Sequence, residues 1–445
     1  MPESTSGVTA GGKTRVAVLA DSDTRWKWGA LTAQRLAPDL HLTGFLLRGR
    51  ATPTARQLGE VGVRADRLAE VTCAEFLAEI EEGGYDVVVL ALVGGAVQAV
   101  LHGARALWPT PAKRPVLVTG YVGVVYEKLA DGLLLRHGAD LVLANSRHDA
   151  GRFRAVYEGA GADASAVTET ALPFLGGGPY EQRTSRAHTV VFAAQPSVPE
   201  SRADRTYLLR RAAQHARRHP DREVLVKLRS KPGEHTTHLE ELPYQRLVER
   251  LPGGLPANCR LVYGNMGEVL DRTDLLVTVS STAALEALHR GVPTAVLTDL
   301  GIREALGNHH FLGSGCLASW DQLDAGLRPV ADPAWLAGQG VIAQGPYERA
   351  FDTARERLAE LVARPALPAP APYYTLATAP GYLPGILARH HLGTDGRPLP
   401  GTARPAAADS RVRRAVRAWL RDAARGAYRH GVQRVAPVIR RMGEL

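Results

Sequence analysis

The chain has 445 residues, of which 45% are hydrophobic, and its formal net charge is +9. This length exceeds what one ordinary α/β core needs and favours two domains that each bury a core of their own. Residues 410–445 hold ten arginines against two acidic residues, so the rest of the chain is almost neutral. Because the basic charge belongs to a tail, the composition argues against a core that binds nucleic acid.

The cysteines and the apolar segments exclude several other classes of protein. Three cysteines lie far apart, and none belongs to a Cys-x-x-Cys pair or a Cys/His cluster, which argues against disulfides and a structural metal site. The first 13 residues lack the apolar core of a secretory signal, and the longest apolar run, 87–97, is too short to cross a bilayer. We therefore expect a cytoplasmic protein without a metal.

The first part of the chain alternates apolar strands with amphipathic helices, the pattern of βαβ units on a parallel sheet. Strands are predicted at 14–20, 41–47, 86–92, 115–119 and 140–144, with a last one ending near Leu172. Helices are predicted at 28–36, 73–82 and 94–107, and from a capping box at Ser146 to Tyr157. These elements predict a Rossmann-like domain over residues 14–174.

The alternation breaks at 175–188, a segment rich in glycine and charge that we expect to be the interdomain hinge. It then resumes and predicts a second Rossmann-like domain over 189–345. The predicted strands are 189–194, 223–228, 260–263, 274–280 and 293–298, and the predicted helices are 203–218 and 282–290. The fold class is therefore α/β, with two doubly wound domains.

Three segments follow the second domain. A helix at 346–363 is expected to return to the first domain, and a proline-rich linker is expected over 364–409. Residues 410–445 predict a basic amphipathic helical tail, in which an arginine stripe runs beside an apolar face that includes Trp419. The tail could lie on an anionic membrane surface, contact nucleic acid or dock on the protein, but no motif supports nucleic acid.

The most informative stretch is 274–297, because neither domain opens with G-x-G-x-x-G and no Walker A sequence is present. No dinucleotide cofactor is therefore expected. A buried strand ends at Ser280-Ser281-Thr282, where a helix begins, so hydroxyl and backbone N–H groups are available to a phosphate. Glu286 follows one turn later and could accept hydrogen bonds from ribose. Alternatively, Ser281 is only an N-cap and Glu286 a solvated helix residue.

This stretch reads S-S-T-x-x-x-E-x-x-x-x-G-x-P after an apolar strand, and it resembles the nucleotide-binding domain of GT-B glycosyltransferases. Similar units occur in bacterial capsule polysialyltransferases, lipid A disaccharide synthase, teichoic-acid glycerophosphotransferases and UDP-GlcNAc 2-epimerase. The resemblance implies a GT-B fold and a nucleotide-activated donor. It also implies that Ser280 and Ser281, with Thr282 beside them, hold the donor phosphate, and that Glu286 holds the ribose.

Two further segments are expected on the donor side. Lys227, Arg229 and Lys231 follow a strand that ends at the crevice, and they could neutralise the leaving nucleotide phosphate. Related families often carry Lys-x-His-Pro here, whereas this chain has Arg229 in place of the histidine. A glycine-rich loop at 307–315 makes Asn308 and His309 candidates for the donor pocket. The alternatives are a solvated basic loop and a histidine pair packed against the core.

The first domain is expected to hold the acceptor and the base that an inverting transfer needs. Asp23 follows the first strand, and Glu127 lies in a region rich in polar groups and glycine, where it could act like the catalytic acidic residue of bacterial sialyltransferases. Both are candidate bases, although such aspartates commonly only cap helices. The other candidates on the acceptor side are Asp21, Tyr121, Gly123, Tyr126 and Arg136.

The sequence as a whole predicts a metal-independent, inverting glycosyltransferase of the GT-B type, with no cofactor. Its donor would be a nucleotide-sugar, with a CMP-linked donor slightly favoured by the serine pair. Its acceptor would be a glycan or a lipid-linked acceptor for cell-surface polysaccharide, and the tail would attach it peripherally to the inner face of the membrane. The alternatives are a nucleotide-sugar epimerase or hydrolase on the same fold, or an inactive binding protein.

Overall fold

The computed structural model describes residues 13–49, 51–123, 128–182, 185–231, 234, 242–341 and 347–401. Two candidate site residues, Tyr126 and Glu127, lie outside the described residues, and so does the predicted basic tail.

The first domain is built on one parallel sheet. Its strands are β1 (Thr14–Ala20), β2 (Leu40–Leu47), β3 (Arg67–Val71), β4 (Val87–Ala91), β5 (Val116–Gly120), β6 (Leu141–Ala144) and β7 (Val167–Glu169). The helices between them are α1 (Asp23–Leu36), α2 (Ala55–Val61), α3 (Cys73–Glu82), α4 (Gly94–Leu107), α5 (Leu129–Leu134) and α6 (Arg147–Gly159). The spatial order is β3-β2-β1-β4-β5-β6-β7, so the strand order reverses between β1 and β4.

The second domain repeats this plan with six parallel strands. They are β8 (His188–Ala193), β9 (Arg222–Lys227), β10 (Cys259–Val262), β11 (Leu275–Thr278), β12 (Thr294–Leu297) and β13 (Leu317–Ala318). Its helices are α7 (Arg202–Arg218), α8 (Tyr244–Val248), α9 (Met266–Leu270), α10 (Ala283–His289), α11 (Trp320–Asp324) and α12 (Pro333–Gly338). The order β10-β9-β8-β11-β12-β13 reverses between β8 and β11.

The cores lie on both faces of each sheet, which explains the continuous apolar runs in the sequence. Strand β4 is buried along its whole length. Its side chains alternate between two cores: Val88 and Leu90 pack in one, and Val87 and Val89 pack in the other. A strand in an antiparallel sheet with one wet face would instead alternate apolar and polar residues. The prediction of two doubly wound α/β domains is confirmed.

Helix α1 begins five residues before the predicted start at Trp28. The hydroxyl of Ser22 accepts a hydrogen bond from the backbone N–H of Arg25, which caps the helix at Asp23. Trp26 and Trp28 are both buried against the sheet. The early start matters because it places the whole first turn of α1 at the carboxyl end of β1.

The chain returns to the first domain after α12. Tyr347–Phe351 forms a 3₁₀ turn, and α13 (Asp352–Ala363) then packs against α1, with Ala354 and Leu358 in the core of the first domain.

Residues 364–401, which belong to the predicted proline-rich linker, continue along the first domain. Leu367 is buried and forms a backbone bridge with Ala112, and Arg114 donates to the carbonyl of Pro368. Helix α14 (Leu383–Arg389) packs on α4 through Leu383 and Leu387. The proline-rich sequence is extended, and side-chain donors of the first domain, such as Arg105 and Arg114, bind its carbonyl groups and hold it in place.

Within the described ranges, no helix is both long enough and apolar enough to span a bilayer. The three cysteines are buried and form no disulfide.

Candidate active site

The carboxyl ends of the two sheets face each other across a cleft of about 710 Å³. Its walls are formed where each strand order reverses, by residues that follow β1, β4 and β5 in the first domain and β8, β9 and β11 in the second. Open α/β sheets bind their ligands at these reversal points, and the cleft volume is that of a small-molecule site.

The serine pair that follows β11 has two different environments. Ser280 is buried, and its hydroxyl donates to the carbonyl of Leu306 at 2.5 Å and contacts the side chain of Gln195. Ser281 faces the cleft, and its hydroxyl accepts from the backbone N–H of Ala283 at 3.2 Å. Thr282 also lines the cleft. All three residues line the cleft, but the Ser280 hydroxyl is engaged with neighbouring loops, whereas the Ser281 hydroxyl bonds only within its own turn among the described residues.

Glu286 lines the same wall, one turn into α10, and is mostly buried. Its carboxylate lies 3.4 Å from the ammonium of Lys27, which belongs to α1 of the first domain. The Lys27 ammonium also lies 4.6 Å from the centre of the Phe174 ring. Glu286 is thus a cleft carboxylate with a cationic partner from the opposite domain.

The predicted basic cluster separates into cleft and non-cleft residues. Lys227 is buried at the cleft wall, donates to the carbonyl of Leu228 at 2.8 Å, and burial lowers the pKa of its ammonium to about 8. Arg229 crosses the cleft and donates to Asp23 and Thr24 of α1. Lys231 does not line the cleft, and its ammonium lies 5.8 Å from the centre of the Tyr263 ring.

Asn308 and His309 lie behind the cleft rather than on its surface. The Asn308 amide donates to the carbonyls of Leu297 and Gly301 and accepts from the backbone of Arg303. It is fully buried, so its polar groups are occupied in holding the loop. His309 is exposed on the outer side of the same loop.

On the first-domain side, the two predicted aspartates also differ. Asp21 does not line the cleft, because its carboxylate accepts from the backbone N–H of Val93 at 2.9 Å and from Arg25 at 2.8 Å. It joins the turns that follow β1 and β4. Asp23 does line the cleft, and it pairs with Arg229 of the second domain.

The loop that follows β5 brings Tyr121 and Gly123 to the cleft. A side chain at Gly123 would begin 3.3 Å from the hydroxyl of Thr282, so the two domains approach closely here. Arg136 also contacts the cleft, but it is buried, its guanidinium donates to three backbone carbonyls, and burial lowers its pKa. The Tyr121 ring packs on this guanidinium at 4.1 Å.

Sequence analysis missed several residues of the cleft wall. Gln195 follows β8 in A-A-Q-P-S and accepts from the backbone N–H of Ser280 at 3.0 Å. Its position after a strand was a usable signal. Asp131 and Lys27 had no such signal, because each lies inside a helix and reaches the cleft only through the tertiary fold. The charged and amide residues missed include Lys27, Glu60, Asp131, Gln195 and Glu304.

Residues 16–361 match the model of the family described as "Putative glycosyltransferase (DUF6716)". The chain belongs to this family. The match includes both sheets and all the described cleft residues discussed above. Two Rossmann-like domains that face each other across a cleft are also the GT-B architecture expected from the sequence.

Solved structures with related folds are distant from this family member in sequence, and a search of curated proteins found no match. UDP-GlcNAc 2-epimerase from Neisseria meningitidis, bound to UDP-GlcNAc, is 10% identical with a TM-score of 0.49, covering 78% of this chain and 100% of that chain. The glycosyltransferase SnogD from Streptomyces nogalater is 16% identical with a TM-score of 0.43, covering 79% and 96%. Arabidopsis thaliana UGT89C1 complexed with UDP-L-rhamnose is 11% identical with a TM-score of 0.44, covering 79% and 99%.

The chain also carries a cluster with metal-ligand chemistry that lies away from the cleft. His215, His219 and Asp324 bring one potential ligand atom each within 4.8 Å of one another, the one such group among the described residues. His215 Nδ1 lies 2.6 Å from Asp324, which also accepts from Arg211 and Arg218. These arginines make the surroundings unfavourable for a cation, so we interpret the cluster as a structural bridge between α7 and α11.

Proposed function

We propose that this protein is an inverting glycosyltransferase that uses a nucleotide-activated donor and no metal. One observation carries the proposal: the strand-order reversals of the two domains meet in one cleft, with cations and hydroxyls on the second domain and a carboxylate, Asp23, on the first. Within the described residues, the carboxylates of the cleft do not form a metal-binding group.

The donor phosphate fits the wall formed by Ser281, Thr282, Lys227 and Arg229. These side chains combine hydroxyl donors with two cations, which is the chemistry that stabilises a leaving phosphate as the glycosidic bond breaks. Glu286 would accept hydrogen bonds from the ribose hydroxyls in place of its contact with Lys27. The serine pair favours a CMP-linked donor, and UDP- and GDP-linked donors are the alternatives that the experiment below separates.

The acceptor hydroxyl would approach from the first domain and lose its proton to Asp23. Without substrate, Asp23 is paired with Arg229. A donor phosphate that binds Arg229 would take over this cation and free the carboxylate. The acceptor oxygen then attacks the anomeric carbon, the bond to the phosphate oxygen breaks on the opposite side, and the proton moves to Asp23. Glu127 is the second candidate for this role.

A glycan or lipid-linked acceptor for cell-surface polysaccharide would fit such an enzyme. In that case residues 410–445, with their ten arginines and two acidic residues, would hold it on an anionic membrane surface. Removing residues 405–445 should then abolish binding to vesicles that contain anionic lipid. Unchanged vesicle binding would contradict the membrane role of the tail and leave the transferase proposal standing.

The transferase proposal is tested by following donor consumption with and without an acceptor extract. We expect nucleotide release that depends on acceptor and falls at least 100-fold in Asp23→Asn, the scale of a lost general base. The matched control Asp39→Asn changes an exposed aspartate at the far end of β2 and should keep full activity. Donor turnover without acceptor would favour an epimerase or hydrolase, and nucleotide binding without turnover would favour an inactive binding protein.

A further inference from the structure

A carboxylate and two tyrosines meet at the first-domain end of the cleft. The phenol of Tyr374 donates to the Asp131 carboxylate at 2.9 Å, and the phenol of Tyr382 lies 3.1 Å from its other oxygen. The rings of Tyr374 and Tyr382 meet edge to face at 5.3 Å. Burial raises the pKa of the Tyr374 phenol, so it remains a donor to the carboxylate.

The two tyrosines belong to a part of the chain that the family match does not include. The match ends at residue 361, whereas both tyrosines lie in the segment 364–401 that runs back along the first domain. Leu383 and Leu387, directly after Tyr382, are buried in the core of that domain. The segment is therefore fixed in position, and its two phenols hold the carboxylate of Asp131, which itself lines the cleft.

The cluster remains open to a ligand. Asp131 lines the cleft together with Val93 and Gly94, and Tyr382, which contacts the Asp131 carboxylate at the edge of the cleft, is 42% exposed. A carboxylate can accept about four hydrogen bonds, and two phenol protons leave about half of that capacity unused. The exposed ring of Tyr382 adds an apolar face next to these free acceptor positions.

A carboxylate beside an exposed aromatic ring is suited to a neutral, hydroxyl-rich ligand. Sugar hydroxyls donate to a carboxylate, and the C–H face of a pyranose packs on an aromatic ring. The cleft carries cations on both walls: Lys227 and Arg229 on the second domain, and Arg25, Lys27, Lys128 and Arg136 on the first. A phosphate is still disfavoured directly at the Asp131 carboxylate, which would repel it.

We propose that Asp131 and Tyr382 form the subsite that binds a sugar ring of the acceptor. This inference rests on the proposed function, and it assigns the C-terminal segment a part in acceptor recognition. Tyr374 is a positioning residue that orients the Asp131 carboxylate. The donor and acceptor sites would then differ in charge, with cations for the nucleotide phosphate and a carboxylate for the sugar hydroxyls.

The test uses the full chain, labelled and applied to an array of defined oligosaccharides in the presence of the nucleotide that stabilises it most. The oligosaccharide bound most strongly is then titrated against Asp131→Asn, Tyr382→Phe and Tyr382→Ala. The control is Tyr373→Phe, since Tyr373 belongs to the same segment but its phenol faces the carbonyl of Ala160. Melting temperatures and nucleotide affinities of all variants show whether they fold.

We expect Asp131→Asn and Tyr382→Ala to weaken oligosaccharide binding on the order of tenfold or more and Tyr382→Phe to weaken it less, with nucleotide affinity unchanged. Tyr373→Phe should bind like the wild type. The subsite is wrong if the oligosaccharide binds both Asp131→Asn and Tyr382→Ala with wild-type affinity, or if a nucleotide-bound chain binds no oligosaccharide. Oligosaccharide binding that depends on Tyr382, without any nucleotide binding, would retain the subsite and contradict the proposed function instead.

Discussion

Lys227 is buried at the end of β9, where we propose that its ammonium binds the donor phosphate. Its ammonium is buried at the cleft wall, and this burial lowers its pKa to about 8. The side chain is therefore mostly charged at neutral pH and mostly neutral at pH 9. A phosphate that binds it would raise this pKa, since a nearby negative charge favours the ammonium.

Nucleotide affinity should consequently fall as the pH rises through about 8. We expect Lys227→Met to bind nucleotide more weakly at pH 7 and to lose this pH dependence between pH 7 and 9. Calorimetric titration at several pH values measures both effects. The control Lys113→Met removes an exposed lysine that contacts carbonyls of the 362–364 region, far from the cleft. A wild-type affinity that does not change over this range would contradict the role of Lys227.

The two adjacent serines lead to a second prediction at the residue scale. Ser280→Ala removes the bonds that hold Leu306 and Gln195, so we expect it to lower the free energy of unfolding by about 1–2 kcal/mol. Ser281→Ala removes a hydroxyl from the cleft, so we expect it to weaken nucleotide binding more than Ser280→Ala does. Denaturant unfolding and nucleotide titration of both variants separate these effects. The reverse order of affinities would contradict the assignment of Ser281 as the phosphate ligand.

Among the elements, those with continuous apolar runs could be predicted from the sequence, whereas one edge strand and several short helices could not. Strand β4 and helix α4 have the expected bounds within one residue. The strand is buried on both faces and therefore appears as a continuous apolar run, whereas the helix buries one stripe and shows a helical period of apolar residues. Strand β3 is an edge strand with two exposed residues, and α2 and α14 are short helices, so none of them gives such a signal.

Several candidate site residues could be predicted because they lie at or just after the end of a strand. Ser281, Lys227 and Asp23 were found in this way and line the cleft. Asn308 was predicted to line the pocket, but its side-chain amide donates hydrogen bonds to the carbonyls of Leu297 and Gly301 instead. A buried amide needs such partners, and these backbone carbonyls lie close to it. Asp131 could not be found, since it reaches the cleft through the packing of α5 and its tyrosine partners lie about 240 residues away.

The loop between β12 and β13 carries a partly buried histidine, which leads to a stability prediction. Burial and, to a lesser extent, the positive charges of His148, Arg152 and His309 together lower the pKa of His310 to about 4. Between pH 6.5 and 4 the unfolded chain therefore binds a proton that the folded chain does not, so stability falls as the pH falls. His310 Nε2 has no hydrogen-bond partner among the described residues.

We expect His310→Phe to reduce this acid sensitivity by up to about 3 kcal/mol at pH 4. Denaturant unfolding between pH 7 and 4 measures the effect. His41→Phe is the control, because His41 is half exposed and should leave the slope unchanged. Parallel pH profiles for His310→Phe and the wild type would contradict the prediction.

At the scale of the whole molecule, the two domains are joined across the cleft by pairs of charges. Each pair has one member on α1 or α2 of the first domain and the other on the second. The pairs are Asp23–Arg229, Lys27–Glu286 and Arg56–Glu234. The pairs Asp23–Arg229 and Lys27–Glu286 include side chains that we propose bind the substrates, so substrate binding would replace these ion pairs with contacts to the ligand. The pair Arg56–Glu234 has no proposed contact with a substrate and would only hold the domains together.

Removing the third pair should shift the molecule towards an open form. Partly exposed ion pairs contribute up to about 1 kcal/mol, so Arg56→Ala should change the ratio of closed to open molecules by up to about fivefold. Energy transfer between dyes on the two domains reports the distance distribution. Arg67→Ala, which removes an exposed pair within the first domain, is the control. A distribution unchanged by Arg56→Ala would contradict a role of this pair in closure.

The central claim, a nucleotide site at the edge of the second domain, is tested most directly by thermal stabilisation with CMP, CDP, UDP and GDP. A nucleotide at one hundred times its dissociation constant should add about 2.7 kcal/mol. We predict selective stabilisation by CMP that is lost in Ser281→Ala and kept in Ser319→Ala, a control that removes the cap of α11 away from the cleft. Selective stabilisation by UDP or GDP would support the nucleotide site but indicate a UDP- or GDP-linked donor. No stabilisation of the wild type by any nucleotide would contradict the claim.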